Sequence, residues 1–366
     1  MNFTIPMVDL AGQYQALCPQ LEAAVKRVLA GGWYILGEEV RAFEAEFAAY
    51  VGVAYGVGVA SGTDALALAL RAVGVEPGDE VITVSHTAVA TVVGLEQAGG
   101  QPVFVDIDPA TFSINPAHLE AAISPRTRAI VPVHLYGHPA EMAAIRAIAR
   151  QHHLAVIEDC AQAHGAWYQG QQVGSWSDAA AFSFYPTKNL GAAGDGGMVV
   201  TNRAEVAERV RLLRQYGWAE RFVSQMRGSN SRLDELQAAI LRVKLPHLEQ
   251  WNEQRRALAA HYTALLTETP LILPQTARDA IPVYHLYVVR ANDRDALLAH
   301  LHRQGIAAQV HYPLPVHLQP AYADLGYGPG SLPETEQAAR EVLSLPLYPE
   351  MNLEVVEKVV EIIKCG

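Results

Sequence analysis

Cysteine is scarce in this chain: Cys18, Cys160 and Cys365 are far apart and odd in number, with no CxxC pair. That spacing gives neither a disulfide framework nor a zinc site. Long apolar runs are missing too. None approaches the ~20 residues that span a bilayer, and the opening MNFTIPMVDL has no basic stretch followed by an apolar one. A cytoplasmic protein is expected. Basic clusters are also lacking: 27 lysines and arginines stand against 38 acidic residues, a net charge of −11. This balance argues against nucleic acid or membrane as a partner, while leaving backbone amides free to bind a phosphate locally. Neither GxxxxGKS, GxxxxGKT nor a strand followed by GxGxxG occurs, and there are no repeats.

What remains is an ordinary globular composition, half hydrophobic and 18% charged over 366 residues, enough for one large domain and a smaller one. Leu21, Val25, Val28 and Leu29 recur at helical spacing and stop at Gly31-Gly32; Val40, Phe43, Phe47 and Tyr50 mark a second helix that ends at Gly52. Tyr55 to Ala60 reads as a strand running into SGTDALALALRAVG, a helix with Ser61 or Thr63 as its cap. Such a junction points free N–H groups and a positive dipole end outward, as a phosphate requires, although capping alone also explains Ser-Gly-Thr. EVITVS, QPVFVDI, RAIVPVHL and LAVIEDC then alternate with helical stretches. Strands rich in Val and Ile, without a polar face, predict a mainly parallel sheet covered on both sides, an α/β architecture.

After Thr201 long helices are expected, with Pro246 kinking one of them. A proline-rich stretch, TPLILPQTARDAIPVY, leads into a smaller C-terminal α+β part: strand VYHLYVVR, helix RDALLAHLHRQG, strand IAAQVHYPLP and two final helices. The division is set at residues 1–250 and 251–366.

Ligands in parallel sheets bind beyond the carboxyl ends of the strands. Ser61 to Asp64, His86, Asp159 and Ser183 fall there, with Lys188 close behind in AAFSFYPTKNLGAAGDGGMVV. A lysine is a good nucleophile only when burial or a neighbouring cation disfavours its charged form, and this apolar, aromatic and glycine-rich setting suits that need. A phosphate-bearing aromatic aldehyde cofactor needs a lysine for its Schiff base, a carboxylate facing a ring nitrogen, and amides for its phosphate. Lys188, Asp159 and Gly62-Thr63 match those three needs.

These residues sit in ordered motifs: SGTDAL at Ser61–Leu66, EDCAQAHGA at Glu158–Ala166, FSFYPTKNLG at Phe182–Gly191, GDGG at Gly194–Gly197 and GSNSR at Gly228–Arg232. In this the chain resembles the fold-type-I pyridoxal phosphate enzymes, and among them the nucleotide-sugar aminotransferases of the DegT and StrS type, over essentially its whole length. The resemblance implies a large cofactor-binding domain of the aspartate aminotransferase kind, pyridoxal 5'-phosphate with pyridoxamine 5'-phosphate as its alternate form, and L-glutamate as amino donor. It implies that Lys188 carries the cofactor and shuttles protons, that Asp159 pairs with the pyridine nitrogen, and that Gln162 lies near the ring hydroxyl. Gly62, Thr63 and Ser183 would bind the phosphate. Asn230 would reach the neighbouring subunit's phosphate site in a homodimer with shared active sites, and Arg232 is either a participant or structural.

Two departures stand out. Where relatives carry an aromatic residue to stack on the cofactor, this chain has Thr87-Ala88-Val89-Ala90-Thr91, and His86 either covers the ring face or serves as a polar cap. The SHTAVAT form resembles a subgroup acting on dTDP-linked 3-keto-6-deoxy sugars. At Ala219, where near relatives have lysine, Arg221 is the substitute. Tyr185, His311, Tyr312, Trp33 and Tyr34 are the sugar-nucleotide candidates. His164, His285, His311 and His317 each have the competing role of a hydrogen-bonded core histidine. Three other activities stay open: amination at C4 of a 4-keto sugar nucleotide, sugar dehydration, which in relatives goes with histidine in place of the lysine, and ligand-binding regulation without turnover.

Overall fold

The computed structural model describes residues 3–365. Its centre is the strand Ala179–Ser183, every residue of which is buried. Ala179 and Ala181 face one side, among Leu66, Leu70, Val206 and Val210. Ala180 and Phe182 face the other, among Phe43, Phe47, Met198 and Leu241. A strand buried on both faces has no polar alternation to show, which is why it reads as a continuous apolar run. The alanines let the helix Gly62–Ala72 lie close against the sheet.

Seven strands form that sheet, in the order Tyr55–Val59, Gly197–Thr201, Ala179–Ser183, Ala155–Asp159, Thr127–Ile130, Glu80–Val84, Gln101–Val105. The five from Ala179–Ser183 to Gln101–Val105 pair in parallel. Gly197–Thr201 runs against both of its neighbours. The expected mainly parallel sheet is therefore present, with one reversed strand that returns the chain from the lysine loop.

The N-terminal helices are Leu10–Gly31 and Glu38–Val51, closed by Gly32 and Gly52 in the left-handed conformation at φ 65 and 81. Gly37, before the second helix, has no capping side chain. Glu235 takes its place from the helix Glu235–Lys244: Oε1 accepts from the amides of Gly37 at 2.7 Å and Val40 at 3.0 Å, and Oε2 from Glu39 at 3.0 Å. This long-range cap seats the GGWYILG loop. Pro246 lies in a 3-10 turn, Leu245–His247, that separates Glu235–Lys244 from Leu248–Leu266.

The boundary set between 250 and 251 falls inside the helix Leu248–Leu266, whose Leu258, Tyr262 and Leu266 pack with Val356, Val360 and Ile363 of the C-terminal part. The expected strand IAAQVHYPLP is an extended segment instead, with single bridges at Ile5–Ile306 and Gln309–Ser344. Pro313 and Pro315 have no N–H to continue a ladder. The strand that pairs with Tyr287–Arg290 is Val342–Leu345, in antiparallel register. It follows directly on the helix Pro333–Glu341, so its apolar residues read as a continuation of that helix.

Candidate active site

At the carboxyl end of the sheet is a cavity of roughly 230 Å³ walled by Ser61, Gly62, Thr63, Thr87, Ala88, Thr91, Asp159, Gln162, Ser183, Tyr185, Lys188 and Asp195, among others. Six of the residues expected from the sequence to bind a cofactor, Gly62, Thr63, Asp159, Gln162, Ser183 and Lys188, thus share one wall.

Ser61 caps the helix Gly62–Ala72, its side chain accepting from the Asp64 amide at 3.1 Å. The first-turn amides of Gly62 and Thr63 have no acceptor within the helix, so they are donors waiting for one. The fit around them is tight. A Cβ at Gly62 would lie 2.5 Å from the Ser183 Cβ, and a Cβ at Gly197 would lie 2.2 Å from the Ser61 carbonyl oxygen. Only backbone can sit so close to the strand end. A side chain at either glycine would therefore push the helix N-terminus away from the strand end.

Asp159 ends the strand Ala155–Asp159 and is 4% exposed. Its Oδ2 accepts from the Thr91 hydroxyl at 2.8 Å and its Oδ1 from the Ala161 amide at 3.1 Å. Since the Thr91 proton goes to the carboxylate, the Thr87 hydroxyl donates to Thr91, 2.9 Å away. Burial pushes the Asp159 pKa up, against these donors and the nearby Lys188 charge. Among the described residues no cation lies within salt-bridge distance of this carboxylate, Lys188 acting from farther off, and a protonated ring nitrogen is the kind of group it would hold. Lys188 is lowered from 10.5 to about 8 by burial, partly opposed by the Asp159 charge. Its backbone amide donates to the Tyr185 carbonyl at 2.9 Å, a turn set by Pro186.

Around the lysine the histidines are kept neutral. Burial and the Lys188 charge lower His164 to about 3 and His311 to about 4, and push His285 well down. His285 Nδ1 bonds the Asn189 side chain at 3.2 Å, His311 Nδ1 the Ser344 hydroxyl at 2.9 Å, and His317 Nδ1 the Ser85 hydroxyl at 2.7 Å. The last is a core contact.

The His86 ring is wholly buried against Phe112 and Tyr136, and Thr87 and Ala88 line the cavity beside it. Tyr312 is not in the wall either; its hydroxyl accepts from Gln162 Nε2 at 3.2 Å. Tyr185 is in the wall and 52% exposed. Trp33 and Tyr34, 67% and 46% exposed, lie off this cavity, as do Asn230 and Arg221 at the surface. Arg221 lies over the Phe222 ring at 4.9 Å, and Arg232 over Tyr216 at 5.9 Å.

Sequence reasoning missed Thr91 as the partner of Asp159, and Asp195 in the wall. The two threonines four apart in TAVAT were the available signal for the first. His134, Glu158 and Cys160 also cluster, with their polar atoms within 4.8 Å of one another. The Glu158 carboxylate is already saturated by the amides of Gly174 and Trp176, the Ser177 hydroxyl and His134 Nε2. This is a hydrogen-bonded core cluster. Among the described residues no helix is long and apolar enough to cross a membrane.

A doubly covered sheet with a lowered lysine, a buried carboxylate and a helix N-terminus at its carboxyl end has the α/β architecture of the pyridoxal phosphate aminotransferases. The chain belongs to the DegT/DnrJ/EryC1/StrS aminotransferase family, whose pattern matches residues 17–364. The family is pyridoxal phosphate-dependent. A protein of Geobacillus stearothermophilus named pleiotropic regulatory protein is 52% identical over 364 residues, covering 98% of each chain. The dTDP-3-amino-3,4,6-trideoxy-alpha-D-glucose transaminase of Streptomyces venezuelae is 50% identical over 361 residues, 98% of this chain and 95% of that one. Among solved structures, S. venezuelae DesV in complex with a ketimine intermediate matches with a TM-score of 0.97 at 50% identity, over 100% of this chain and 98% of the other.

Proposed function

We propose that this aminotransferase uses pyridoxal 5'-phosphate to move an amino group from L-glutamate to a keto sugar nucleotide, specifically a dTDP-3-keto-6-deoxyhexose, giving the dTDP-3-amino-3,6-dideoxyhexose. The observation that carries the reading is the single cavity that joins Lys188, Asp159 and the helix N-terminus at Gly62. The preference for C3 and dTDP draws on the S. venezuelae transaminase and on the SHTAVAT stretch.

When bound, the cofactor supplies an electron sink for the carbon that loses its proton. The chain's own residues do the rest. Gly62, Thr63 and Ser183 would hold the phosphate by amide and hydroxyl donors. Asp159, kept in place by Thr91 and Ala161, would favour a protonated ring nitrogen. Gln162 would donate toward the ring hydroxyl. Lys188, lowered to about 8 and displaced from the cofactor by the incoming amine, would take the proton from the substrate carbon and deliver it to the cofactor carbon, and the reverse in the second half; general acid/base help of this kind contributes about 100- to 10,000-fold. The two amino-group transfers use the same residues in opposite directions.

The reading includes a homodimer. Asn230 and Arg221 lie at the surface, off their own chain's cavity, in keeping with service to a neighbour's site. Trp33 and Tyr34 stand exposed beside a cleft of roughly 590 Å³ between Arg27 and Arg242, an aromatic patch of the kind that contacts a partner. A second reading, a ligand-binding regulator, draws on the name of the Geobacillus relative; regulation alone needs no lowered lysine.

The visible spectrum of the purified protein with pyridoxal phosphate separates these readings. The bound-cofactor band is expected to bleach with excess L-glutamate and return with a 3-keto sugar nucleotide. A band indifferent to glutamate refutes the donor or the reaction type; absence of any lysine-bound band refutes the role of Lys188 and leaves the regulator.

A further inference from the structure

Tyr136 has no part in the site as built so far, yet its amide bonds a residue of the cavity wall and its hydroxyl the segment just before Tyr312. It follows the strand Thr127–Ile130 in the turn Leu135–Gly137, is 6% exposed, and has a left-handed backbone at φ 59. Its amide donates to Gln162 Oε1 at 2.7 Å. A backbone amide can only donate, so the oxygen of the Gln162 side chain is the atom that faces it. The nitrogen is then the atom that meets the Tyr312 hydroxyl. Gln162 keeps a second N–H, and Tyr312, which accepts from Gln162, keeps its own proton.

The other end of Tyr136 is equally determined. Its hydroxyl donates to the His311 carbonyl, since a proton must lie between those two oxygens, and it accepts from His86 Nε2 at 2.8 Å. His86 is therefore the Nε2–H tautomer of a neutral imidazole, in keeping with the burial that lowers it to about 4. One residue thus ties three segments: its backbone amide holds the Asp159–Gln162 turn, and its hydroxyl joins His86, after the strand Glu80–Val84, to the His311–Tyr312 segment of the C-terminal part.

We infer that Tyr136 is a positioning residue for the cofactor site: its amide orients the Gln162 side chain and its hydroxyl pins the segment carrying Tyr312, which holds one Gln162 N–H from behind, so that the other Gln162 N–H is presented to an anionic ring oxygen. A fixed donor of this kind suits a phenolate better than a neutral hydroxyl. The inference rests on the pyridoxal phosphate reading above.

Tyr136→Phe keeps the ring and the backbone amide and removes only the hydroxyl. In the cofactor-free protein, amide hydrogen exchange over residues 311–318 is expected to quicken about tenfold or more, with the sheet unaffected. With pyridoxal phosphate bound, the Kd is expected to rise about tenfold and the pH midpoint of the visible band to move by about half a unit. Tyr312→Phe is expected to reproduce the cofactor effects, and the double variant to be little worse than either single one, as for residues that act through each other. Unchanged exchange with a Kd within twofold of wild type overturns the inference, and so does a double variant whose loss is the product of the singles. Should Tyr136→Phe not fold, Gln162→Glu carries the test, since it keeps an oxygen for the Tyr136 amide and removes the donor; a Kd within twofold of wild type then overturns the inference. Wild-type protein that binds no pyridoxal phosphate refutes the cofactor reading instead, and the exchange comparison still decides whether Tyr136 pins the segment.

Discussion

The lysine is the most direct place to test the site, because its behaviour is set by two opposing causes. Burial lowers Lys188 from 10.5 to about 8, while the Asp159 charge pulls the other way. At pH 7 a group with the lowered value is neutral in about 10% of molecules, against about 0.03% for an ordinary lysine, a difference of about 300-fold. In cofactor-free protein, labelling by an amine-selective reagent, followed at Lys188 by peptide mass spectrometry, is expected to rise with pH to a midpoint near 8. The sign for the partner follows: Asp159→Asn removes a charge that raises the lysine, so the midpoint is expected to fall below that of wild type. A Lys188 midpoint at the ordinary 10.5 refutes the buried, activated amine. A rise in Asp159→Asn refutes the pairing.

Other substitutions probe the remaining parts. Lys188→Ala is expected to abolish turnover with an unchanged circular dichroism spectrum, and substantial residual activity would refute its role. Gly62→Ala places a methyl 2.5 Å from the Ser183 Cβ and is expected to destabilise the fold by about 1–3 kcal/mol and weaken cofactor binding at least tenfold, both read by titration. Glu235→Ala strips three buried amides of their acceptor and is expected to lower stability by about 2–4 kcal/mol in urea unfolding; a loss below about 0.5 kcal/mol counts against the long-range cap. Mixed Lys188→Ala and Asn230→Ala subunits, re-sorted into dimers, are expected to regain about a quarter of wild-type sites, because half the dimers are hybrids with one intact site each. No gain over the parents argues against a shared site.

Much of this was legible in the sequence, for identifiable reasons. Helix ends carried by Gly32 and Gly52, and strands buried on both faces, are local signals that tertiary packing did not override. The strand-end position of Asp159 and the Ser61 cap placed the cavity before any coordinates. What escaped were relations between distant segments. The strand Val342–Leu345 shares its composition with a helix and is decided by its partner Tyr287–Arg290. His86 sits next to the cavity in sequence but its side chain leaves through the back of the wall, toward a tyrosine fifty residues away in chain order. Tyr136 lies in a turn whose φ of 59 no spacing rule announces. Thr91 closes the stretch that lacks the relatives' aromatic residue, and is a carboxylate partner.

The reversed strand Gly197–Thr201 has a consequence for how the chain is made. Tyr55–Val59 docks on the sheet only through it, with Tyr55 opposite Thr201 and Val59 opposite Gly197. During synthesis the first strand to emerge must therefore wait, unpaired, until some 140 further residues have left the ribosome, a delay of about 7–30 s at ordinary elongation rates. Through that interval its apolar edge has no partner of its own, and a chain cut short before Gly197 keeps it bare. Truncated products are therefore the aggregation-prone species, and the segment that carries the lysine is synthesised just ahead of the one that closes the sheet.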